Sequence, residues 1–183
     1  MKYLVLTSLL FIGAIASVSA QSRIFTKSGT ISFSAGTEIE DIDGTNKSVT
    51  SIVDIGTGQI EFAVLMKGFE FKRALMQEHF NENYMESEKF PKALFKGEIL
   101  NVATVNFKKD GTYPVMIKGS LELHGEKKII EVPGTFTVGN GAISAVSEFT
   151  ITSSDFNIQI PRAVADKVSP TVNIHVSCSY KNL

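Results

Sequence analysis

Apolar and polar residues alternate with a period of two along most of this chain. In one stretch Ile60, Phe62 and Val64 share one parity, while Gln59 and Glu61 take the other. Successive side chains of a β-strand point to opposite faces, so this alternation is typical of strands with one dry and one wet face. The pattern recurs from the first third of the chain to its end and predicts an all-β protein.

The alternating stretches are separated mainly by short glycine-rich turns, which is typical of antiparallel strands. About eight strands are predicted, around residues 31–33, 48–55, 59–66, 92–99, 115–124, 130–138, 142–152 and 170–180. Such a series folds as a closed up-and-down barrel or as a sandwich. Closure removes exposed strand edges, and an eight-stranded barrel has an interior just wide enough for side chains or one small ligand.

One short helix is predicted over residues 71–84, after the third strand. Leu75, Met76, His79 and Phe80 form a single apolar stripe on it, as in a helix that covers a core. Pro91 cannot continue a helix, so the chain turns there into the next strand.

Residues 1–20 have the pattern of a secretory signal peptide, with Lys2 before an apolar run and small residues before a cut after Ala20. This leaves one predicted domain, residues 21–183, and predicts a periplasmic or secreted protein. No later run is apolar enough for a stable membrane anchor.

The formal charge after the cut is 17 minus 19, or −2, because Lys2 is removed from 18 basic residues against 19 acidic ones. The composition therefore has no excess of positive charge that would indicate binding to the phosphates of nucleic acid.

Phenylalanines occupy the predicted inner face of five strands, at Phe33, Phe62, Phe95, Phe136 and Phe149. Two interpretations fit them, a filled core and an apolar ligand cavity. Glycines at 97, 119 and 134 share this inner parity, and they favour a cavity because a solid core would place larger side chains there. Cys178 shares an apolar parity and is interpreted as a small core residue.

Three sequence motifs resemble the YceI-like family, which is lipocalin-like and binds polyisoprenoid lipids. The first comprises His79, Phe80, Tyr84 and residues 86–91 and 95–97; the second is residues 119–125 followed by Lys128; the third is residues 153–161. The resemblance implies an eight-stranded antiparallel lipocalin-like barrel with one short α-helix after the third strand. It also implies a non-enzymatic carrier that encloses an apolar lipid, such as a polyisoprenoid or an isoprenoid quinone.

The predicted lipid-binding set combines residues on the inner face of the strands, the apolar stripe of the helix and residues of the family motifs. It consists of Phe33, Phe62, Val64, Leu75, Met76, His79, Phe80, Phe95, Ile117, Leu121, Phe136, Phe149 and Phe156. No catalytic residue, metal ligand or cofactor is predicted. The sequence is compatible with a homodimer that forms through one apolar end of the barrel, but no feature selects it.

Two alternatives stay open at this point. The chain would be an enzyme on a lipid-like substrate if His79 and Glu82 acted as acid and base. It would be a structural or stress-related binding module if the core were solid.

His124 lies at the end of a predicted strand, and its place in the alternation puts its side chain on the outer face. This position predicts a role in stabilising the turn and not in ligand contact.

Overall fold

Nine stretches of alternating sequence form strands in the structure, a computed structural model that describes residues 23–182. The predicted signal peptide lies outside the described residues. The strands are β1 (Arg23–Gly36), β2 (Asp43–Asp54), β3 (Gln59–Leu65), β4 (Glu70–Phe71), β5 (Lys92–Ile99), β6 (Gly111–Leu123), β7 (Glu126–Gly139), β8 (Ala142–Thr152) and β9 (Val168–Asn182). Every predicted strand is present, and the added β4 is two residues long.

The strands close into an antiparallel barrel, because β1 pairs with both β2 and β9. The circuit runs β1-β9-β8-β7-β6-β5-β3-β2, and β4 continues the line of β3 along the far end of β2. The predicted eight-stranded barrel is therefore confirmed. Two tight hairpin turns have left-handed backbone at both residues, His124 with Gly125 and Asn140 with Gly141. Such turns match the natural twist of paired strands.

The connection between β4 and β5 contains the predicted helix in a shorter form. An α-helix, α1, spans Ala74–His79, and a π-helical turn follows at Phe80–Tyr84. The prediction placed the helix start at Phe71, but this residue belongs to β4 and pairs with Gly44. Short 3₁₀ turns lie at Met66–Gly68, Val102–Thr104, Ser153–Phe156 and Arg162–Val164. Within residues 23–182, no helix is long and apolar enough to cross a membrane.

The barrel interior is packed differently at its two ends. One end, which holds the β2–β3 and β7–β8 turns, is filled by a buried cluster. Phe136 and Val53 are 0% exposed there, and Cys178 packs with them at 2% exposure. At the other end, where α1 lies, several inward side chains such as Phe62 and Phe149 are only half-buried. A second buried cluster packs at the α1 end. The inner face therefore leaves space between the two clusters.

Two inward glycines, Gly97 and Gly119, stand directly opposite each other on β5 and β6. A Cβ on Gly119 would lie 2.5 Å from the Lys96 carbonyl oxygen and 2.6 Å from the Phe95 ring. The expectation that these glycines leave interior volume open is therefore wrong. The ring of Phe95 lies over both backbones and occupies that space, and the close approach of the strands itself requires glycine.

Replacing Gly119 by alanine should destabilise the barrel by about 1–3 kcal/mol, because the added methyl group meets backbone atoms and an aromatic ring that cannot easily move. Gly139→Ala is the matched control, since a Cβ there meets nothing within 4 Å. Urea unfolding of both variants gives the two free energies. Equal stability of the two variants would contradict the proposed packing.

Candidate functional site

An apolar cavity of about 340 Å³ lies inside the barrel, between the filled end and the segment that contains α1. Its walls are the inner faces of β1, β3 and β5 to β9, and its end is covered by residues of the β3–β5 connection. The inner-face residues that line it include Ile31, Phe33, Phe62, Val64, Phe95, Ile117, Leu121, Ile130, Val132, Phe149, Val172 and Ile174. The volume lies at the lower end of the range for small-molecule sites, about 300–1,000 Å³, which are also mostly apolar.

Most residues of the predicted lipid-binding set come together around this cavity. Eleven of them line it: Phe33, Phe62, Val64, Met76, His79, Phe80, Phe95, Ile117, Leu121, Phe136 and Phe149. Leu75 and Phe156 do not line it. Leu75 is 60% exposed on the outer side of α1, whereas Phe156 is 2% exposed and packed beside the barrel wall. Phe136 touches the cavity but belongs mainly to the filled end.

A cluster of four phenylalanines covers the cavity at the α1 end. Phe80 lies 5.4 Å from Phe33, 5.4 Å from Phe69 and 5.0 Å from Phe71, measured between ring centroids. Such spacings are in the range of favourable aromatic pairs. Phe69 and Phe71 were missed by the sequence analysis, because the 3₁₀ turn at Met66–Gly68 interrupts the alternation and gives them the opposite parity to the inner residues of β3. The cluster attaches the short helical segment to the wall without any buried residue in α1 itself.

Charged residues meet at the edge of the cavity near this cluster. Glu40, from the β1–β2 loop, accepts a hydrogen bond from Arg73 beside α1, and its other oxygen lies 3.9 Å from Lys167 of the β8–β9 connection. The hydrogen bond from Arg73 lowers the pKa of Glu40 below its ordinary value. Because the folded pKa is depressed, this link is present at neutral pH and is lost as pH falls through that lowered pKa.

The two residues of the enzyme alternative line different surfaces. His79 lines the cavity, but Glu82 lines a separate outer groove. Burial raises the pKa of Cys178 to about 11, so its thiol is not activated as a nucleophile. Among residues 23–182, no group of three or more metal-ligating side chains is close enough to hold a metal ion.

His124 joins the three motifs at one point on the outside of the barrel. Its Nδ1 donates to the carbonyl oxygen of Phe156 over 3.1 Å, and its Nε2 lies 2.9 Å from a carboxylate oxygen of Glu86. Phe90 stacks edge-on against the ring at 4.6 Å. The side chain of His124 is only 8% exposed. This arrangement agrees with the predicted turn-stabilising role, and it extends that role to two further connections of the chain.

The comparisons with known proteins agree with this fold. The family model of the YceI-like domain matches residues 19–180. A search of curated proteins gives no significant match.

Solved structures with the same architecture come from several bacteria. A polyisoprenoid binding domain from Saccharophagus degradans, implicated in plant cell wall breakdown, superposes with a TM-score of 0.76 and 11% identity, over 89% of this chain and 99% of that one. BcnA of Burkholderia cenocepacia gives 0.69 and 14%, over 84% and 96%. The Campylobacter jejuni YCEI protein gives 0.56 and 16%, over 80% and 89%. At these identities the likeness concerns the fold.

Replacing His124 by asparagine should destabilise the protein by about 1–3 kcal/mol, because it removes the ring's hydrogen bonds from a largely buried position. Asparagine tolerates the left-handed backbone that this residue has, so turn strain does not confound the result. The control is His175→Asn, since His175 bonds Glu148 at the exposed surface. Chemical denaturation should show a change of less than about 0.5 kcal/mol for the control. Equal losses of unfolding free energy in the two variants would contradict the bridging role of His124.

Proposed function

The chain belongs to the YceI-like domain family, and on that premise we propose that it is a lipid-binding protein that encloses an apolar chain in its barrel. The single observation that carries the proposal is the cavity of about 340 Å³, lined by apolar residues of eight strands. The polyisoprenoid binding of the Saccharophagus degradans domain supports a polyisoprenoid or an isoprenoid quinone as the ligand class.

Burial of the apolar chain supplies the affinity in this proposal. Each methylene-sized group removed from water contributes about 0.8 kcal/mol, so ten such groups contribute about 8 kcal/mol before the cost of lost freedom. Such a gross value would by itself correspond to a dissociation constant near 1 μM, and the cost of lost freedom makes the binding weaker than this limit. Phe62, Phe95 and Phe149 are half-buried and face the cavity, so they are the side chains that such a ligand would cover.

The charged edge of the cavity is the proposed position of the lipid head group. Glu40, His79 and Lys167 line the cavity at the end where the wall meets the loops. A polar head group placed there keeps contact with water, while its chain extends towards the filled end of the barrel. The filled end then sets a limit to the length of chain that one barrel encloses.

We further propose that the protein acts without catalysis and is exported. The first part is supported by the cavity lining, which is mostly apolar and does not include Glu82, the carboxylate that the enzyme alternative pairs with His79. The second part is supported by the sequence pattern of residues 1–20. Together these features favour a carrier or scavenger of lipid outside the cytoplasm.

Filling the cavity should weaken lipid binding and leave the fold intact. Val172→Trp places an indole in the cavity, because Val172 lines it on β9. Displacement of about two methylene-sized groups should raise the dissociation constant about tenfold. Titration with a fluorescent geranylgeranyl alcohol measures this change, and circular dichroism checks the fold.

Thr171→Trp is the matched control, because Thr171 is adjacent on the same strand, similar in shape to valine and exposed on the outer face. It should bind like the parent protein. Unchanged affinity in a folded Val172→Trp variant, or an equal loss in both variants, would overturn the cavity as the binding site.

A further inference from the structure

The strands β7 and β8 are paired over only part of their length. Their ladder joins residues 135–139 of β7 to residues 142–146 of β8. The remaining parts, residues 126–134 and 147–152, keep their partners β6 and β9 but form no ladder with each other. The barrel wall therefore separates here, beside part of the cavity.

Pro133 accounts for the position at which the ladder ends. The Ser147 hydroxyl donates to the Pro133 carbonyl oxygen over 2.6 Å, so this carbonyl faces β8. The N–H and C=O groups of one strand residue point to the same neighbour, and proline has no N–H to donate. A side-chain hydrogen bond thus stands where the next backbone pair would form, and β8 departs from β7 beyond it.

The separation of the two strands reaches the cavity. Gly134 and Thr135 of β7 and Val146 and Ser147 of β8 all line the cavity at the point where the strands part. Val146 is also 44% exposed on the outer surface, so the space inside and the surface outside meet at this residue. On the β7 side Ile129 is 68% exposed. Both rims of the opening therefore carry an apolar side chain in contact with water.

Polar links cross the end of the barrel beside α1. Glu40 is linked to Arg73 and Lys167, and the Thr37 hydroxyl donates to the Asp166 carbonyl oxygen over 2.8 Å. An apolar chain that enters through this end passes these links and the aromatic cluster.

Side-chain hydrogen bonds bound the gap between β7 and β8. One runs from Ser147 to Pro133, and the other runs from His124, just before β7, to Phe156, just after β8. Entry between these hydrogen bonds requires no change in the aromatic cluster.

We propose that the gap between β7 and β8 is a side portal through which the apolar chain of a ligand passes between a lipid surface and the cavity. The chain slides in sideways past Ile129 and Val146, and its head group stays in water at the charged edge. This inference rests on the proposed lipid-binding function and adds the route that the ligand takes.

The test separates the rate of transfer from the affinity. A tryptophan at Val146 narrows the portal at its outer rim, and Pro133→Val restores the N–H group that would extend the ladder. Stopped-flow transfer of fluorescent geranylgeranyl alcohol from phosphatidylcholine vesicles should slow at least fivefold in each variant, in both directions. In Pro133→Val, whose side chain does not line the cavity, the equilibrium distribution of the probe should change less than twofold, because uptake and release slow together.

Ile52→Trp is the control for the rim variant, because Ile52 is 39% exposed on β2, where both neighbouring strands are paired with it. It should transfer the probe at the parental rate. Parental rates in both Val146→Trp and Pro133→Val, with normal equilibrium binding, would overturn the portal and leave the binding function standing. Faster transfer in Arg73→Gln combined with those unchanged rates would likewise overturn it and place the route at the barrel end. Failure of the parent protein to take up the probe would instead overturn the binding function.

Discussion

Closure of the sheet, through the pairing of β1 with both β2 and β9, is the constraint on which the rest of the structure depends. Once the circuit is closed, the parity of each strand decides which residues face a shared interior. Large side chains such as Phe136 fill that interior at one end, and the packing is less complete towards the other. A container with a filled base and an apolar cavity follows from this uneven filling, with no need for a separate binding domain.

Polar contacts between distant parts of the chain shape the end beside the cavity. A six-residue helix is too short to be stable by itself, so α1 depends on its tertiary contacts. Phe80 provides an aromatic attachment, and the links of Glu40 to Arg73 and of His124 to Glu86 provide polar ones. The motifs that led to the family assignment thus include residues that hold the end of the barrel in place as well as residues that line the cavity.

Period-two alternation was sufficient to predict the strands, because it is a local pattern. It left a barrel and a sandwich open, and the family resemblance favoured the barrel. Eleven of the thirteen residues in the predicted lipid-binding set line the cavity. Leu75 lies at the edge of the helix stripe, and the side of the stripe that faces the cavity depends on tertiary packing that the local pattern does not specify. The ring of Phe95 over Gly97 and Gly119, and the partial ladder at Pro133, depend on pairing registers that alternation does not specify.

The central claim is that the barrel holds one apolar molecule in its interior, and native mass spectrometry tests it most directly. The protein would be purified from its own host, and separately incubated with an excess of a polyisoprenoid alcohol or an isoprenoid quinone. The account predicts added mass equal to one lipid molecule, which is reduced in Val172→Trp and kept in Thr171→Trp. A protein that carries no added mass in either preparation, while remaining folded, would contradict the account.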